Sequence, residues 1–201
     1  MKFAIRLALL GAGLTASLLV SAQEATTRIR GSIVSLDHDT LTVHRRSGDM
    51  VTIAIADARV SAVQNISLQD IKPGTFIGTA ARRDANGRLM AQEVVVFPEA
   101  ERGTGEGHYA WDLGPSSTMT NANVDAVVNG TQGRDLHLSY KGGNNVVTVP
   151  ATVPIVRFIP ASRADLSPGK QVFVVARAGN SATHFTGVRI VVEKDGVKPP
   201  M

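Results

Sequence analysis

The stretch Glu106-Gly107-His108-Tyr109-Ala110-Trp111-Asp112 holds the densest chemistry in this sequence. It brings two carboxylates, an imidazole, a phenol and the only tryptophan of the chain close together. Glu106, His108 and Asp112 offer oxygen and nitrogen donors of the kind that hold a divalent metal. Glu106 beside His108 also has the composition of an acid–base pair. Ser116 and Ser117 follow, so a nucleophile, a base and an acid all lie nearby. Neither serine sits in a nucleophile-elbow pattern, and Ser-Ser-Thr after Gly114-Pro115 reads as a turn. The run Gly103-x-Gly105-x-Gly107 does not link a strand to a helix, so it is not a phosphate loop. The expectation is therefore a non-enzyme that binds a ligand or partner through Glu106, His108, Tyr109, Trp111 and Asp112. No cofactor is expected. The alternative is a metal-binding protein using His108, Glu106 and Asp112.

The aromatic pair has a plainer use. Buried, Tyr109 and Trp111 would each contribute about 1.5–3 kcal/mol, so packing between two halves of the protein is the simplest role. Left exposed, the same rings would form a docking patch. Elsewhere the chemistry is sparse. His38, His44, His137 and His184 show no His-x-x-x-His spacing, and Asp37-His38-Asp39 falls where a tight turn is expected. Arg45-Arg46 and Arg82-Arg83 could meet phosphates. The neighbouring strand patterns carry no aromatic residue for base stacking, so nucleic acid is not an expected partner.

The elements that position this stretch repeat. Apolar residues alternate through Ile29, Gly31, Ile33, then Leu41, Val43, then Val51, Ile53, Ile55, the period of half-buried strands. A single helical turn is expected where Ser67 caps Leu68–Lys72 and Pro73-Gly74 stops it. Strands resume at Thr75–Arg82 and Arg88–Phe97. The second half follows the same order at Val124–Val128, Leu136–Tyr140 and Val146–Val149. Ser162, Asp165 and Pro168-Gly169 then match Ser67, Asp70 and Pro73-Gly74. Each half thus reads as about five strands with one helical turn between the third and fourth, and small barrels solve the edge problem for strands this short.

The first 22 residues stand apart. Lys2 and Arg6 precede an apolar run of roughly 14 residues that ends at Val20-Ser21-Ala22, a signal-peptide pattern too short for the about 20 residues of a membrane span. The chain has no cysteine, which excludes disulfides, thiolate chemistry and a lipid-modified cysteine. The net charge is +4, and Lys2 and Arg6 would leave with the signal peptide. The 99–121 segment is acidic, with Glu99, Glu101, Glu106 and Asp112 against Arg102.

The pattern carried by Gly31, Ile33, Leu41, Val43, Leu68, Asp70, Pro73, Gly74, Ala91 and Val94 resembles secreted bacterial OB-like repeat domains of unknown function. The second half departs from it at Ala126 (for Gly31) and at Arg163 (for Leu68). The resemblance implies a fold and a compartment, and no activity. The sequence thus predicts an all-β protein: a signal peptide (1–22), an OB-like barrel repeat (27–98), an aromatic and glycine-rich linker (99–121), a second repeat (122–193) and a polar disordered tail (194–201). The protein is expected to be periplasmic or secreted, with an envelope protein or a small ligand as partner and no membrane span.

Overall fold

The structure, a computed structural model, describes residues 26–130 and 133–200; the signal-peptide segment lies outside them. The fold is all-β, built from β1 (Thr26–Asp37), β2 (Thr40–Arg45), β3 (Met50–Ala54), β4 (Arg59–Asn65), β5 (Phe76–Arg83), β6 (Leu89–Val96), β7 (Gly107–Ala110), β8 (Thr118–Gly130), β9 (Gly133–Tyr140), β10 (Gly143–Val149), β11 (Ile155–Pro160), β12 (Gln171–Ser181) and β13 (His184–Val192). Among the described residues no helix is long and apolar enough to cross a membrane.

The strands close into two five-stranded circuits, and neither circuit belongs to one half of the sequence. The first runs β1–β2–β3–β13–β12 and returns to β1, with β3 and β13 parallel. The second runs β8–β9–β10–β6–β5 and returns to β8, with β10 and β6 parallel. Each barrel thus takes three strands from one half and a hairpin from the other. The reason is that matched hairpins offer matched edges: Gly31 pairs with Val172 in one barrel, as Ala122 pairs with Ile77 in the other. The barrels have separate cores, one around Ile29, Leu41, Ile53, Val174 and Ile190, the other around Ile77, Val94, Leu136, Leu138 and Val147.

Two strands not expected from the sequence, β4 and β11, link the barrels. They pair antiparallel with each other, β4 runs parallel to β13, and β11 runs parallel to β6. A third cluster, Val63, Val95, Val156, Phe173 and Val191, fills the space between the barrels. The helical turns are single 3₁₀ turns at Leu68–Asp70 and Arg163–Asp165. Asp70 accepts the Ser67 backbone N–H and Asp165 that of Ser162, each at 2.8 Å. Gly74 and Gly169 follow at the same φ of +87°, which a side chain would resist.

Three expectations change. The residue matching Gly31 is Ala122 rather than Ala126, because the second hairpin is longer than the first. The 99–121 linker is not wholly a linker, since Thr118–Asn121 belongs to β8 and pairs with β5. The tail is not a free polar segment: Lys194 bridges Val197 and pairs with Asp165 at 3.2 Å, and Val197 packs on the third cluster.

Candidate functional site

The segment between the halves is a strap that is sewn to both barrels. A 3₁₀ turn at Glu99–Glu101 starts it, and Arg102 holds it to the second barrel by donating to the Gly74 carbonyl at 2.8 Å. Strand β7 then pairs with the start of β8, setting Tyr109 opposite Met119. Past β7 the chain crosses to the first barrel. Asp112 accepts both arms of the Arg30 guanidinium, at 2.9 and 2.8 Å, and Arg28 lies 3.9 Å away. Burial raises the Asp112 carboxyl, but these two arginines outweigh it and hold the group below the usual carboxylate range. Trp111 packs on the third cluster with the Arg28 guanidinium stacked 3.7 Å from its ring. Ser117 ties the turn by donating to the Trp111 carbonyl at 2.8 Å.

The predicted residues are all on the strap, but they do not converge. Glu106 accepts the Lys141 backbone N–H at 2.9 Å. His108 bonds Thr120 Oγ1 through Nδ1 at 2.8 Å and stacks on Tyr140, with ring centres 6.3 Å apart. Asp112 faces Arg30. The three candidate metal ligands therefore have three different sets of partners, and among the described residues no three histidine or carboxylate groups cluster as a metal site. Burial, with Arg83 adding a smaller effect, pushes the His108 imidazole down, so it packs as a neutral ring. Replacing His108 with Ala should lower the stability of metal-free protein by about 1 kcal/mol through the lost Thr120 bond and ring contact. A urea melt checks this, and an unchanged midpoint would contradict it.

Tyr109 and Trp111, by contrast, do share a place. Their rings are 6.1 Å apart and wall a cleft of about 420 Å³ between the two barrels. Val95, Phe97, Phe158, Phe173 and Val188 make most of the remaining wall apolar. Three of its lining residues, Tyr109, Trp111 and Asn121, carry polar groups. Trp111 Nε1 is buried with no acceptor among the described residues, and Asn121 Oδ1 is buried with no donor. Asn121 is only 6% exposed, and its amide nitrogen donates to the Thr104 carbonyl at 3.0 Å and to the Tyr109 hydroxyl at 3.2 Å. The Tyr109 hydroxyl thus accepts this bond and keeps its own proton to donate. Burial pushes this phenol up, against a smaller pull from Arg28, so it stays a donor at neutral pH.

One small residue lets the cleft wall pack closely. Gly78 stands on β5 where the matched strand β12 carries Phe173, and a Cβ there would sit 2.7 Å from Asn121 Oδ1 and 3.0 Å from the Phe97 ring. At the matched position of the other barrel, Phe173 carries Arg30 over its ring at 5.0 Å and itself lines the cleft. Beneath Arg30 lies Glu93, 1% exposed, with neither carboxyl oxygen partnered among the described residues. Its matched residue on β13 is Arg189, which lines the cleft and pairs with Glu101 at 2.8 Å.

Sequence reading found Tyr109 and Trp111 by their rarity. It missed Asn121, Phe97, Phe158, Phe173 and Arg189, whose roles depend on which barrels face each other. The one available signal was the pairing of Gly78 with Phe173 across the repeat. Compared with known proteins, the chain matches no family model, no curated protein and no solved structure.

Proposed function

We propose that this is an exported, non-catalytic binding module of the bacterial cell envelope, and that its ligand lies in the cleft between the barrels. The five-strand circuits are read as OB-like barrels with exchanged hairpins. The ligand is a small, largely apolar molecule with one neutral group that both accepts and donates a hydrogen bond. The observation that carries this reading is an apolar cleft whose lining residues Trp111 and Asn121 each carry a buried polar atom, the indole N–H and the amide oxygen, without a partner among the described residues. Buried polar groups without partners cost about 1–3 kcal/mol each, and a ligand that meets both would recover that energy. A volume near 420 Å³ lies within the usual range of small-molecule sites. The strap acts as a wall of the site as well as a clamp. No acid, base and nucleophile face one another in the cleft, which favours binding over catalysis.

The test is a titration with 2-naphthol, a neutral apolar fluorophore whose hydroxyl both accepts and donates a hydrogen bond. The expected result is saturable binding of one probe per chain. Val188→Phe, which fills the cleft, should abolish binding and leave the thermal midpoint within a few degrees of the parent. Equal binding by the parent and Val188→Phe would refute the assignment.

A further inference from the structure

A second depression opens on the first barrel, on the other side of the Asp112 turn. It has a volume of about 370 Å³ and is lined by Arg28, Arg30, Arg45, Arg46 and Ser47, with Asp112 at its edge. Strand β1 sends Arg28 and Arg30 to it, and the end of β2 with the turn to β3 brings Arg45, Arg46 and Ser47. Among the described residues only two ionised carboxylates answer these four guanidiniums. Arg45 is taken by Asp49, which also accepts Ser47 Oγ at 2.6 Å, and Arg30 is taken by Asp112. Arg28 reaches a carboxylate only through the 3.9 Å contact to Asp112 while its guanidinium lies over the Trp111 ring, and Arg46 is exposed with no side-chain hydrogen bond or ion pair among the described residues. Glu93 does not redress the balance. Burial pushes it up to about 8, partly opposed by Arg30, so it is neutral at pH 7.

The duplication supplies an internal comparison. The strand registers place Met119, Asn121, Tyr140 and Lys141 where the first repeat has Arg28, Arg30, Arg45 and Arg46. The same barrel surface is therefore built without arginines, and the fold does not require them. All four are arginine and none is lysine, which suits the planar, two-pronged recognition of an oxyanion. We propose that this depression binds a phosphate group, with Arg28 and Arg46 as its main donors and Arg30 held ready behind them by Asp112. The group is either free phosphate or the phosphate of a lipid headgroup. The site stands independently of the apolar cleft.

The experiment has two arms on the mature protein. Inorganic phosphate is titrated against chloride at constant ionic strength by calorimetry, and vesicles of phosphatidylglycerol or phosphatidylcholine are floated with the protein. In the first arm phosphate should bind measurably where chloride does not. Arg46→Gln should weaken it roughly tenfold, the usual effect of one lost charge-assisted contact. Lys141→Gln, at the matched position of the other repeat, should leave it unchanged. Arg46 is exposed, so its variant should melt as the parent does. Flotation on phosphatidylglycerol that Arg46→Gln removes assigns the site to a headgroup, and phosphate binding without flotation assigns it to a soluble ligand. The proposal is overturned if phosphate behaves as chloride and neither vesicle floats the protein. It is equally overturned if binding survives the Arg28→Gln/Arg46→Gln double variant, or if Lys141→Gln weakens it as much as Arg46→Gln. Binding of the neutral fluorophore should be indifferent to Arg46→Gln, which separates failure here from failure of the cleft.

Discussion

Residues 26–98, prepared without the rest of the chain, should not fold as a monomer. In the intact protein β1 closes its barrel through seven registered pairs with β12, from Thr26↔Arg177 to Ser32↔Gln171, and β3 closes it against β13. The half-chain keeps β1, β2 and β3 but has lost both closing strands. It also keeps β5 and β6, whose barrel partners β8 and β10 are gone. Both sets of strands lose the partners that cover their apolar faces in the intact protein, and the stability of an ordinary domain, about 5–15 kcal/mol, goes with them. Two outcomes fit: an unfolded chain by circular dichroism, or a dimer in which two copies exchange hairpins as the two halves do here. Mixing residues 26–98 with residues 99–201 should restore strand content in a one-to-one complex. A folded, monomeric half in sedimentation would contradict the exchanged topology.

The second large effect concerns Glu93. Its carboxyl is pushed from an ordinary value near 4.5 up to about 8, chiefly by burial, with Arg30 and Arg46 opposing and Asp112 assisting. In this window the folded protein keeps a proton that the unfolded chain has released. The stability linked to Glu93 is therefore complete below about pH 4.5 and is lost as pH rises toward 8. The slope is about 1.4 kcal/mol per pH unit, so the total is on the order of 5 kcal/mol. Glu93→Gln should melt close to the parent at pH 5 and roughly 10 °C above it at pH 9, at about 2–4 °C per kcal/mol for a chain of this size. Melting curves of both proteins across this range provide the check. A parent midpoint that tracks the variant at every pH would mean that Glu93 is ionised in the folded state.

These two cases also mark what the sequence could and could not convey. The duplication was legible because Ser67 to Gly74 and Ser162 to Gly169 share local chemistry, and local chemistry is written in adjacent residues. The all-β barrel class followed from the alternation at Ile29–Ile33, Leu41–Val43 and Val51–Ile55. The exchange of hairpins was not legible. Val172 and Ile77 carry matched patterns, so adjacent residues alone do not tell which of the two pairs with Gly31. The packing between barrels hid Glu93. In Ala91-Gln92-Glu93-Val94-Val95 an acid at an alternate position reads as solvent-facing, yet that face lies against the other barrel. Strand β4 was missed because Val60, Ala62 and Val63 give a short, mixed pattern, and its pairing with β11 is long-range. Tyr109 and Trp111 were found because composition alone marks them. The close packing of their cleft wall depends on Gly78, whose small size has meaning only opposite Asn121 and Phe97.

The central claim is that the cleft is a ligand site and that the Trp111 indole N–H is waiting for an acceptor. The chain has one tryptophan, so its indole N–H gives one resonance in a ¹⁵N-edited proton spectrum. Following that resonance during titration with 2-naphthol, whose hydroxyl oxygen is an acceptor, is the most direct measurement. The account predicts a saturating shift in the parent and none in Val188→Phe. A resonance that stays in place in the parent, while the protein remains folded and the probe is in excess, would contradict it.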